Sequence, residues 1–222
     1  MEIRPLQSDD FSEAMRLDAI CYYQPSDLAI KDSTAEDLKD AFGLFENGQL
    51  RSAMISHGHQ MYYDGASVPV AGIGNVATYP EYRRKGYVRE LFSFLFPRMR
   101  ELGQAFSMLF PFSYPYYRSF GYELGYSKNQ YTFPLAQLKA ENDDGSLELV
   151  MPSGGVINEM DVIKALYRNF VSPRNLAMNR SDADWKRLVP AEPHKSQVYL
   201  YLYRNANGEA EAYFMYKAVR KT

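Results

Sequence analysis

Cysteine is almost missing from this chain: Cys21 is the only one in 222 residues. A single thiol excludes an internal disulfide framework. Histidine is scarce too, with three in all. His57 and His59 flank Gly58, but neither an H-x-x-x-H spacing nor a cysteine pair accompanies them, so they read as hydrogen-bonded strand residues and no metal is expected. Charge of one sign is also lacking in excess. The formal net charge of −2 gives no general pull toward nucleic acid or anionic membrane, and neither is expected as a partner. No apolar run approaches the roughly 18–20 residues that span a bilayer, and MEIRPLQSDD lacks the apolar core of a signal peptide, so a cytoplasmic protein is expected. Internal repeats and low-complexity tracts are absent as well.

What remains is an ordinary globular balance, 46% hydrophobic and 23% charged, with an unusual 19 tyrosines. The patterning implies an α/β chain. EIRPL (2–6) reads as a strand, followed by Ser8 as a cap and a helical spacing over Phe11, Ala14, Met15 and Leu17. A second helix is expected from the Ser33–Glu36 cap, with Leu38, Ala41, Phe42 and Phe45 as its apolar face. Strands follow at 49–57 and 59–63, then Asp64-Gly65 as a hairpin turn before a strand over 68–78. Residues 84–102 carry a helical stripe of Val88, Leu91, Phe92, Leu95, Met99 and Leu102, ended by Gly103. A short strand at 105–110, a short helix in PFSYPYYRSFGY and a strand in ELGYSKNQYTF complete the first region. LKAENDDGSLE is acidic and poor in aromatics, which places a linker near 136–152 between regions 1–135 and 153–222. In the second region, 156–178 and 182–189 read as helices, and 197–204 with 211–217 as a hairpin about Asn207-Gly208.

One stretch carries the chemistry, GIGNVATYPEYRRKGYVRELF (72–92). Its opening matches G-x-G-x-x-A, a dinucleotide fingerprint. That fingerprint requires a helix to begin at its glycines. Here β-branched Val76 and Thr78 continue the strand, Pro80 biases Tyr79 away from helix, and no ribose-binding carboxylate follows at the usual distance. The close of the stretch fits an anion better. A strand runs through Arg83-Arg84-Lys85-Gly86 into an amphipathic helix whose first N–H groups have no helical partners. Gly86 lets the backbone approach closely, and a basic cluster at the positive end of a helix dipole is unfavourable unless an anion joins it.

VATYPEYRRKG followed by YRSFGYE resembles the GNAT N-acetyltransferases, which use acetyl-coenzyme A. The pairing of GIGNVATYPEYRRKGYVREL with LFPFSYPYYRSFGYE is most similar to the branch named for enhanced intracellular survival, Eis. The resemblance runs through residues 1–133 and more loosely beyond. It implies a mixed, mostly antiparallel GNAT sheet flanked by helices, then the start of a second GNAT-like half. The family's pyrophosphate loop, Q/R-x-x-G-x-G/A, is matched at Arg83 and Gly86, with Val88 where a small residue is usual. The resemblance implies that Val76, Ala77 and Thr78 meet the pantetheine arm along a strand edge. It implies further that Arg83, Arg84, Lys85, Gly86, Tyr87 and Val88 hold the pyrophosphate. It makes Tyr117, five residues before Tyr122, the general acid that protonates the departing thiolate, in preference to its neighbour Tyr116.

The implied reaction is acetyl transfer to a primary amine by direct attack, the acceptor being aminoglycoside-like, a polyamine or a lysine. The family takes its base from a chain-terminal carboxylate after a C-terminal domain, which has no match here, and many members are homo-oligomers. A non-catalytic acyl-CoA-binding module is the alternative. Asp27, Asp32, Glu36 and Asp37 lie where GNAT acceptor sites open and would draw a polycation, or else form a solvated face. Cys21 reads as a buried thiol, and Ser113 lacks a G-x-S-x-G elbow.

Overall fold

The computed structural model describes residues 1–22, 38–127, 129–137, 144–152, 157–189 and 192–219. The chain divides into two units, Met1–Gln60 with Val68–Gly125, and Met61–Ser67 with Tyr126–Thr222. No helix among the described residues is long and apolar enough to cross a membrane.

The first unit is a mixed sheet between helices. In chain order it contains β1 (Glu2–Pro5), α1 (Phe11–Tyr22), β2 (Ala41–Glu46), β3 (Gln49–Tyr63) up to Gln60, β4 (Ala66–Thr78) from Val68, α2 (Tyr87–Glu101), β5 (Phe106–Met108) and α3 (Tyr114–Arg118); the tip of the β3–β4 hairpin, Met61–Ser67, belongs to the second unit. The sheet order is β1-β2-β3-β4-β5. β1 and β2 pair antiparallel, as do β2 and β3, whereas β4 and β5 run parallel. Asn47-Gly48 and Asp64-Gly65 turn the chain between β2, β3 and β4, and all four residues have positive φ, as tight hairpin turns require.

Each face of the sheet buries its own core. Phe42, Leu44, Met54, Ala71 and Ile73 meet Tyr87, Leu91, Phe92, Leu95 and Met99 of α2 on one side. Ala41, Phe45, Leu50, Ala53 and Ala77 meet Ala14 and Leu17 of α1 on the other. These two sets show why 38–45 is not helical. Ala41 and Phe45 point to α1 while Phe42 and Leu44 point to α2, the two-residue alternation of a strand buried on both faces. In a short apolar run the positions i, i+3, i+4 and i+7 fit either period. The rest of that expected helix, with its cap, lies outside the described residues.

Three other expectations change. β3 is one strand through Gly58 rather than two. α2 begins at Tyr87, so the basic residues stand before the helix, and Leu102 lies past its end and exposed. Of the stretch 123–133, no described residue is in a strand; Tyr126, Tyr131 and Phe133 face solvent, so the alternating aromatics have no apolar surface to pack on.

The second unit holds β6 (Ser146–Leu149), α4 (Met160–Val171), β7 (Ala177–Met178), α5 (Asp182–Leu188), α6 (Pro193–Ser196), β8 (Val198–Arg204) and β9 (Ala210–Lys217). The helix expected over 156–178 ends at Val171, and its last two residues form β7 against Met61 and Tyr62. β6, β8 and β9 make an antiparallel sheet. Its core is Val150, Ile163, Trp185, Val189, Leu200 and Leu202. Ser181 caps α5 reciprocally with Asp184.

Candidate active site

The site is built where β4 outruns its neighbour. β4 pairs with β5 only at Val70–Gly72, against Phe106–Met108. β5 then ends, and β4 continues six residues to Thr78. Within that extension the strand changes parity. Ala71 and Ile73 face α2, whereas Ala77, odd-numbered like them, faces α1, and Val76 takes over the α2 side. The reversal occurs at Asn75, whose φ of 46° inserts an irregular residue of the kind that re-aims a strand. The G-x-G-x-x-A residues are therefore strand, and no helix begins at them.

The inner edge of this extension is closed by β3: Ser52 donates to the Ala77 carbonyl at 2.8 Å, and the Tyr79 N–H to the Arg51 carbonyl at 3.1 Å. Val76 and Thr78, alternating with these, present their backbone to the other edge. There, side chains occupy the carbonyls. The Tyr22 hydroxyl donates to Val76 O at 3.4 Å, while the Cys21 thiol (3.4 Å) and Arg83 Nε (3.2 Å) donate to Thr78 O. The last turn of α1 thus runs alongside the open edge of β4.

Beyond Thr78 the chain makes a 3-10 turn at Pro80–Tyr82 and then the loop 83–86. Arg84 and Gly86 are both left-handed, with φ of 66° and 85°. Alternation of this kind turns successive N–H groups into one concavity, an anion-binding nest. The first helical bond of α2 runs from the Glu90 N–H to Gly86 O, which leaves the N–H groups of Tyr87, Val88 and Arg89 without helical partners. A Cβ on Gly86 would meet nothing within 4 Å, so the space over the nest is open. Arg83, Arg84 and Lys85 are exposed, but two of their side chains turn elsewhere. Arg83 reaches back to Thr78, and the Lys85 ammonium lies 4.7 Å from the centre of the Tyr82 ring. The loop's anion-binding capacity is therefore mainly backbone.

Tyr117 stands on α3, a short helix capped by Ser113. Its ring is buried among aromatics, edge-on to Phe112 (5.5 Å), Tyr116 (5.2 Å) and Tyr122 (6.0 Å). No described residue hydrogen-bonds its hydroxyl. Burial pushes that hydroxyl up to about 12, helped by the neighbouring hydroxyls of Tyr22, Tyr116 and Tyr122. Tyr116, partly exposed, is raised as well, mainly by burial. Tyr122 fastens the motif down, its hydroxyl 2.6 Å from that of Ser107 on β5. The candidate acid and the end of α1 are in electrostatic reach through Tyr22 and Tyr117, and the 76–78 edge lies beside Tyr22.

Tyr22, Asn75 and Asp18 were not singled out by the sequence. Asn75 between Gly74 and Val76 offers a weak signal, since asparagine tolerates positive φ. Tyr22 offers none among 19 tyrosines. Asp27, Asp32, Glu36 and Asp37 lie outside the described residues. Among the described residues no group of histidines, cysteines and carboxylates is arranged to hold a metal ion.

An open strand edge thus leads to a backbone nest at a helix start, and a buried tyrosine with a raised pKa stands on α3. The acetyltransferase (GNAT) domain family matches residues 2–125, more than half of the chain, and the chain belongs to that family. Solved structures share the fold. One is a conserved protein of unknown function and probable N-acyltransferase from Enterococcus faecalis, 24% identical with a TM-score of 0.77, covering 98% of this chain and 55% of that one. A GCN5-related N-acetyltransferase from Anabaena variabilis is 18% identical with a TM-score of 0.73, covering 96% and 53%. An Eis protein from Mycobacterium abscessus is 20% identical with a TM-score of 0.63, covering 92% and 51%. The chain spans about half the length of these structures. No curated protein sequence matches it.

Proposed function

We propose that the protein transfers the acetyl group of acetyl-CoA to a primary amine by direct attack, with Tyr117 as general acid, and that it belongs to the Eis branch of its family. In this reading, residues 1–135 bind acetyl-CoA and 153–222 are part of a second GNAT-like half. The observation that carries the reading is Tyr117: a buried phenol whose hydroxyl no described residue bonds, in the same core cluster against which Val76 of the β4 extension packs.

The residues fit the carrier. The nest of 84–88 suits a pyrophosphate, because its N–H groups are unpaired and Gly86 leaves room above them. The backbone of Val76, Ala77 and Thr78 suits an extended amide-bearing arm, which would add to the free edge as another strand does. Tyr22 and Arg83 now occupy the Val76 and Thr78 carbonyls, so these side chains yield or share when the arm is in place. Acetyl-CoA supplies a thioester that a neutral amine can attack. The chain's part is to align that arm, exclude water with the Tyr116 and Tyr122 rings, and keep a proton on Tyr117 Oη for the departing sulfur. A hydroxyl held near 12 remains protonated at neutral pH and can donate to a thiolate.

The test is thiol release from acetyl-CoA with a panel of aminoglycosides, polyamines and lysine peptides, with CoA binding followed by calorimetry. Amine-dependent release that falls by roughly 100-fold or more in Tyr117→Phe, with CoA binding intact, supports the assignment. CoA binding without release from any amine would favour a non-catalytic acyl-CoA-binding module. No CoA binding would overturn both.

A further inference from the structure

Asp18 lies one helical turn before Tyr22, on the inward face of α1 that also carries Ala14 and Cys21. It is partly buried, and its Oδ1 is out of solvent with no hydrogen-bond donor. No cation pairs with it among the described residues, and burial alone raises its pKa. Elsewhere on this face the polar groups are satisfied: Tyr79 donates to Glu13, Cys21 to Thr78 and Tyr22 to Val76. A carboxylate oxygen out of solvent without a donor is costly, which sets Asp18 apart from the other polar groups on this face. Its neighbourhood is the site itself. Its charge is felt at Tyr22, Tyr22 touches the 76–78 edge, and the hydroxyl of Tyr22 is felt in turn at Tyr117.

We infer that Asp18 is a specificity-determining residue that holds an ammonium group of the acceptor. The inference rests on the amine-acetylation reading and narrows it. A carboxylate in contact with an ammonium stabilises its charged form, and a charged nitrogen cannot attack a carbonyl. The nitrogen on Asp18 is therefore not the one acetylated. The site selects acceptors with at least two amino groups, one held as a cation at Asp18 while the other, neutral, is presented beside Tyr117.

The experiment compares putrescine with its monoamine counterpart butylamine, in wild type, Asp18→Asn and Asp18→Glu. The wild type is expected to favour the diamine in kcat/KM by on the order of 10- to 100-fold, the range of one charge-assisted hydrogen bond. Asp18→Asn should lower kcat/KM for putrescine far more than for butylamine and so erase that preference, and Asp18→Glu should restore part of it. A merely structural role would lower both amines equally. Should no amine release thiol, calorimetric binding of the same pair to the CoA complex still tests the inference: diamine selectivity lost in Asp18→Asn supports it and would leave acetyl transfer as the reading that failed. Should Asp18→Asn not fold, the wild-type Asp18 carboxyl carbon is titrated by NMR, and putrescine is expected to lower its pKa where butylamine does so less. No diamine preference in the wild type, an unchanged preference in Asp18→Asn, or equal titration with both amines overturns the proposal.

Discussion

The hydroxyls of Ser107 and Tyr122 lie 2.6 Å apart and tie the end of the YRSFGYE motif to β5, the strand that parts from β4 at the site. Tyr117 packs edge-on against the ring so held. Tyr122→Phe and Ser107→Ala should each remove one partly buried hydrogen bond, costing about 1 kcal/mol in urea unfolding. If the tie positions Tyr117, both variants lower kcat more than they change the KM for acetyl-CoA. An unchanged kcat would show the bond to be structural only.

Tyr117 and Tyr122 are each pushed up to about 12 by burial above all, and Tyr79 is raised further in the same direction. A group whose folded pKa exceeds its unfolded value of about 10 binds its proton more tightly when folded. Its contribution is present in full below pH 10 and is lost as pH rises from 10 toward 12. Stability should therefore be flat in these groups at neutral pH and fall steeply above pH 10, and Tyr122→Phe should soften that fall. Chemical denaturation at pH 8 and pH 11 reads both.

The same shift bears on rate. With Tyr117 protonated up to about pH 12, kcat/KM should show no alkaline loss assigned to this group below about pH 10.5. A descending limb centred between pH 8 and 9 that vanishes in Tyr117→Phe would keep the acid role and contradict the raised pKa, whereas an unchanged rate and pH profile in Tyr117→Phe would contradict the role itself.

Gly86 has a φ of 85° and open space where a side chain would start. Gly86→Ala meets no steric clash in the free protein, so its cost is the left-handed backbone, about 1–2 kcal/mol. Its methyl would stand in the nest. CoA affinity should fall on the order of 10-fold or more, as read by calorimetry, with melting lowered by only a few degrees. Equal CoA affinity would mean that the pyrophosphate does not sit over Gly86.

Much of this protein was legible in one dimension. β1, the first helix, the hairpin at Asp64-Gly65, the stripe from Leu91 to Met99 and the β8–β9 hairpin follow from periodicity and turn residues, because local sterics and one-sided burial dictate them. So does the rejection of a helix at Gly74, since β-branched residues and Pro80 act within a few positions. The motif spacing that pairs 72–92 with 109–123 marks the family, and that was readable as well. Tertiary structure decided the rest. Whether 41–46 was strand or helix depended on two cores facing it at once, which a short apolar run cannot announce. The parity switch at Asn75, the Tyr22 and Arg83 side chains on the β4 edge and the Asp18 Oδ1 that no described residue bonds arise where α1 meets β4. Those residues are separated by tens of positions, and a hydrogen bond or a missing one exists only once the chain has brought its partners together.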